Sequence, residues 1–72
     1  MASSLQYCTV VIDGNSYIYD RNNLQITYKL YEERDREIIY HLCDVSENDA
    51  EVLKNEDDLI TYIMGALLAD YV

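Results

Sequence analysis

Seventy-two residues, half of them hydrophobic and none proline, exclude a disordered acidic tail and describe a single domain, 1–72, near the lower size limit for a core-supported fold. Fourteen acids against five bases leave a net charge of −9. That balance argues against direct binding to DNA, RNA or an anionic membrane, because phosphate contacts need Lys and Arg.

In chain order, the first half alternates with a period of two. "LQYCTVVI" predicts a strand over 5–12, and "DGN" supplies hairpin signals, since Gly and Asn tolerate positive φ. "SYIYD" predicts a strand over 16–20 and "DRNN", 20–23, the next turn. In "LQITYKLY", 24–31, Leu24, Ile26, Tyr28 and Leu30 share one face, and Gln25, Thr27, Lys29 and Tyr31 share the other. "EIIYHLC", 37–43, places Ile38, Tyr40 and Leu42 on one face. Pairing Leu30 with Ile38, Tyr28 with Tyr40 and Ile26 with Leu42 keeps the large apolar groups together and leaves a three-residue loop, Glu33 to Asp35. The first half is therefore expected to be a four-stranded antiparallel β-meander.

Near residue 44 the period changes to that of a helix. Ser46 followed by Asp49 resembles a capping box and predicts a short helix over 47–54. Asn55 can stop that helix or cap the next, whose first turn holds Asp57 and Asp58 at the positive end of the dipole. Leu59, Ile60, Ile63, Met64, Leu67, Leu68 and Tyr71 then form an apolar stripe on a helix over 56–71, expected to lie across one face of the sheet. Gly65 interrupts it and suggests close packing against a strand or a second chain. The fold class is α+β.

No catalytic or metal constellation emerges from the spacing. Asp44, Ser46 and Asn48 match the first three ligand positions of an EF-hand loop, but Asp49 stands where glycine is needed and Asn55 where the bidentate Glu is needed. Two Cys and one His cannot fill a structural zinc site. His41 and Cys43 fall on the same outward side of the fourth strand, about 7 Å apart, which is loose for a nucleophile–base pair. With only Gly14 and Gly65 there is no glycine-rich phosphate loop. The chain is expected to be non-enzymatic and to need neither cofactor nor metal. "MASSLQYC" has no basic n-region or apolar run, so no signal peptide is expected. A cytoplasmic location with Cys8 and Cys43 reduced is the expectation, with one disulfide between them as the alternative.

The acidic surface remains. Residues 44–58 hold seven carboxylates against one lysine. Solvation alone explains much of it. The functional alternative is a carboxylate row that stands in for phosphates in a groove lined by Lys and Arg, with tyrosine rings where bases stack. The partner-facing candidates are Glu47, Glu51, Glu56, Asp57 and Asp58 on the helical half, Glu32, Glu33 and Asp35 on the third turn, and Tyr17, Tyr19 and Tyr31 on faces not needed for the core. In size, charge and composition the chain resembles the small acidic inhibitors of phages and mobile elements. That resemblance implies stoichiometric occlusion of a basic nucleic-acid-binding protein, such as a nuclease, glycosylase, restriction enzyme or CRISPR effector. The alternative is a homodimeric adaptor or an antitoxin or immunity-type protein, binding through a tyrosine-rich sheet face or edge.

Overall fold

The computed structural model describes residues 3–69, and Asp70 and Tyr71 at the predicted end of the last helix lie outside them. Strands β1 (Tyr7–Ile12), β2 (Asn15–Asp20), β3 (Gln25–Lys29) and β4 (Tyr40–Asp44) form one antiparallel sheet in chain order. Helices α1 (Glu47–Val52) and α2 (Glu56–Ala69) follow, so the α+β meander-then-helices architecture expected from the sequence is the one observed.

Local chemistry explains each join. Asp13 and Gly14 both take positive φ, 52° and 84°, as a two-residue hairpin turn requires to match the strand twist. At the next turn the Asp20 carboxylate accepts hydrogen bonds from the Asn22 and Asn23 amides at 3.0 and 3.3 Å. That turn occupies residues 21–24 and takes Leu24 out of β3, at φ 51°. The turned Leu24 carbonyl accepts the Val45 amide at 2.8 Å, tying the turn to the residue just after β4.

Two rows of cross-strand neighbours line the core face. One is Cys8, Tyr19, Ile26 and Cys43, and the other is Val10, Tyr17, Tyr28 and Tyr40. Tyr19 and Ile26 are fully buried, and the rings of Tyr17, Tyr28 and Tyr40 stack in series with centroids 5.4 and 5.3 Å apart. Tyr17 and Tyr19 are therefore core residues, and their expected place on a partner-facing surface is overturned. In β2 the alternation offered either the tyrosines or Ser16, Ile18 and Asp20 to the core, and the rings bury far more apolar surface.

The join between β3 and β4 departs from the expected three-residue loop. The pair Tyr28–Tyr40 forms as expected, but Leu30 and Ile38 do not pair, and Ile38 is 36 % exposed. After Lys29 the chain is drawn toward the first hairpin, where the Tyr31 amide donates to Asn15 Oδ1 at 2.8 Å, and makes one 3-10 turn over Tyr31–Glu33. At the other end of this strand pair the register shifts between Ile26 and Thr27, so Ile26 faces Cys43 and Leu42 is the extra residue of a bulge. The bulge turns Cys43 to the core side while His41 stays outside opposite Thr27, so the two do not share a face.

Both helices are capped by the residues that sequence singled out. Ser46 Oγ accepts the Asp49 amide at 3.1 Å, and Asn55 Oδ1 accepts the Asp58 amide at 2.9 Å. Asp58 Oδ2 in turn accepts the amide of Lys54, the residue before the cap, at 3.0 Å. The first helix stops at Val52 because Leu53 turns extended, buries its side chain and offers its carbonyl to the Leu5 amide at 2.8 Å. Leu59 and Ile63 anchor α2 on the sheet. The helix packs chiefly over β1, leaving Leu42, Cys43 and Tyr28 only partly covered. Gly65 has nothing within 4 Å of where a Cβ would stand, so no strand packs closely there.

Candidate protein-binding surface

The expected row of acids divides into two groups. Residues 31–37 follow the end of β3, whereas α1 follows the end of β4, and the two strands are antiparallel. Glu32, Glu33 and Asp35 thus lie at one end of the sheet, and Glu47 and Glu51 at the other, roughly 15 Å of strand away. The first group is also diluted by Lys29, Arg34 and Arg36, with the Arg34 guanidinium 4.9 Å from the centroid of the Tyr31 ring. Glu33 is half-buried and accepts the Tyr40 hydroxyl through both oxygens, at 2.7 and 2.9 Å. That hydrogen bond is the main reason the Tyr40 phenol is held above its usual range, with desolvation next. Tyr31, though exposed, belongs to this far end and does not flank the helical acids.

The helical group is more concentrated. Glu47, Glu51, Glu56, Asp57 and Asp58 occupy α1 and the first turn of α2, a stretch in which Lys54 is the only base in sequence and against which Arg21 packs from the β2–β3 turn. Two of the five have local partners. Glu47 pairs with Arg21 at 2.9 Å, an exposed contact contributing under about 1 kcal/mol, and Asp58 accepts the Lys54 amide ahead of the α2 cap. Glu51, Glu56 and Asp57 are exposed, with no hydrogen bond or ion pair among the described residues. Asp49, from the same acidic stretch, accepts the Tyr62 hydroxyl at 2.8 Å and joins α1 to α2. Burial, then that bond and the Asp49 charge, push the Tyr62 phenol up to about 12.

Sequence reasoning missed the apolar part of this surface. Val52, at the end of α1, is 63 % exposed among the acids. With Leu53, Asp58, Thr61 and Tyr62 it lines a depression of about 260 Å³. Thr61 and Tyr62 also border a second depression of about 360 Å³, reaching across Gly65 and Ala66 to Cys43 and Asp44. The apolar pair Val52-Leu53 inside an acidic run was the one available signal. The involvement of Tyr62 had none, because its partner Asp49 lies 13 positions away.

The arrangement offers little for covalent chemistry. Cys8 and Cys43 sit on the two edge strands, three strand spacings or roughly 14 Å apart, so no disulfide joins them. Burial, then the nearby Glu56, raise the Cys8 thiol above its ordinary value and make it a poorer nucleophile. Among the described residues no group of three or more His, Cys, Asp or Glu side chains could hold a metal ion, and no helix is long and apolar enough to cross a membrane. The fold and this surface define a small α+β chain with an acidic helical elbow beside an apolar trough. Compared with family models, curated proteins and solved structures, the chain matches none.

Proposed function

We propose that this chain is a non-enzymatic acidic inhibitor that binds a basic nucleic-acid-binding protein and occludes its phosphate-contacting groove. The observation that carries this is the concentration of Glu47, Glu51, Glu56, Asp57 and Asp58 on one helical elbow, against which only Lys54 and the Glu47-paired Arg21 are set among the described residues. Carboxylates on capped helices are held in place, so they meet Lys and Arg with little ordering cost and release the counterions that DNA would release. Targets of this kind include nucleases and restriction or CRISPR effectors, and an anti-defence protein of a phage or mobile element would act in this way. The acids at the far end, Glu32, Glu33 and Asp35, are outside the proposed interface.

A homodimer or adaptor built on a tyrosine-rich face has less support. Tyr17 and Tyr19 are buried in the core, Tyr28 and Tyr40 share that face but are only partly covered, and Tyr7 is the strand tyrosine on the outer face. Light scattering at micromolar concentration separates the two ideas, since the inhibitor acts as an 8.4 kDa monomer.

The decisive experiment captures the target from a lysate at low salt, releases it with a salt step, and measures its binding to duplex DNA by gel shift. Equimolar addition of this chain should abolish the shifted complex, and Glu51→Lys with Asp57→Lys should lose both capture and inhibition. Asp57 is preferable to Asp58 because reversing a cap would confound binding with folding. Glu32→Lys with Asp35→Lys should behave like the parent. A captured protein that still binds DNA, or capture that ignores the elbow reversal, overturns the proposal.

A further inference from the structure

We infer that the trough beside Tyr62 receives an apolar side chain of the target, presented between Lys or Arg residues, so that the partner is a cationic amphipathic segment rather than a purely polar basic surface. This rests on the proposed function and specifies the chemistry of its partner.

Two apolar grooves flank α2, and charge tells them apart. The groove lined by Ile12, Asp13, Tyr17, Met64, Leu67 and Leu68 has one carboxylate on its rim among the described residues. The two depressions that meet at Thr61 and Tyr62 have a carboxylate each, Asp58 in one and Asp44, 3.0 Å from His41 Nε2, in the other. A segment entering this trough with an apolar anchor brings its flanking cations over those carboxylates, whereas an acidic segment would be repelled and a neutral one would gain no charge pairing. The trough is also pre-shaped. The Tyr62 hydroxyl is held by Asp49 at 2.8 Å, which fixes the ring as a wall between the two depressions, and Gly65 leaves the helix surface low beside it. Burying one anchor side chain in a preformed site changes affinity by about tenfold or more. The surrounding charge pairs set the salt dependence instead.

The test uses two synthetic peptides of equal charge, one of Lys and Leu and one with Ser at every Leu position. Each is titrated into the full chain by calorimetry at low salt, with amide chemical shifts followed by NMR. The Leu peptide should bind about tenfold more tightly, with shifts centred on Val52, Thr61, Tyr62 and Ala66. Val52→Ser and Thr61→Trp, both at exposed positions, should remove that advantage while leaving the Ser peptide and the thermal melt unchanged. Equal affinity for the two peptides overturns the apolar anchor and leaves the acidic-inhibitor proposal standing. A Leu advantage that survives both substitutions, or shifts centred on Ile12 and Leu68, overturns the assignment to this trough. If neither peptide binds, the acidic surface itself is not a cation-binding one, and both proposals fall.

Discussion

The hydroxyls of Tyr19 and Tyr62 differ in their surroundings and so in what they do for stability. Tyr62 donates to Asp49, whereas the Tyr19 hydroxyl is buried with no hydrogen-bond partner among the described residues. Removing the first leaves a half-buried carboxylate unsatisfied, and Tyr62→Phe should cost about 1 kcal/mol in urea unfolding. Tyr19→Phe removes an orphaned polar group and should be neutral or stabilising by up to about 1 kcal/mol. A destabilising Tyr19→Phe would show that its hydroxyl has a partner after all. The Tyr62 phenol also carries a pH dependence. The fold favours its neutral form, with a value of about 12 against about 10 in the unfolded chain, so the stabilisation is complete below pH 10. It is lost as pH rises from about 10 through about 12, because the unfolded state then binds fewer protons than the native one. Tyr19 and Tyr40 are raised in the same direction. Melts across pH 9–12 should show a steep fall in the parent and a shallower one in Tyr62→Phe.

At the scale of elements, the caps and the strand order were legible because they depend on neighbours in sequence. Ser46 and Asn55 each cap a helix through a residue three positions on, and Asp13-Gly14 turns a hairpin by itself. The β3–β4 connection was not legible. Its path depends on Asn15 reaching Tyr31 and on Tyr40 reaching Glu33, contacts between separate elements that no local pattern announces. Gly65 is the instructive case in α2. In sequence it suggested close approach of a strand or a second chain, but no strand of this chain packs there and the position is open, so within the chain the residue weakens the helix. Gly65→Ala should therefore raise stability by about 1 kcal/mol, or several degrees in the melting midpoint. Unchanged or lowered stability would mean that something does pack there.

For the whole molecule, like charge concentrated at one end opposes folding, and in the proposed function it serves binding. Added salt should raise the melting midpoint by screening repulsion across the α1–α2 elbow, and Glu51→Lys should raise it at low salt by relieving the same repulsion. The same substitution should lose the captured target. A parent melt indifferent to salt would mean that the carboxylates are too dispersed to repel one another, and would remove the basis for the proposed surface. By itself the sequence determined the strand and helix order, the caps and the total charge, since each follows from residue type and near-neighbour spacing. Tertiary structure alone decided which face of β2 became core, where the bulge reset β4, and that the acids divide between opposite ends of the sheet. Those outcomes arise from competition for buried area and hydrogen-bond partners between segments far apart in the chain, which a one-dimensional pattern does not contain.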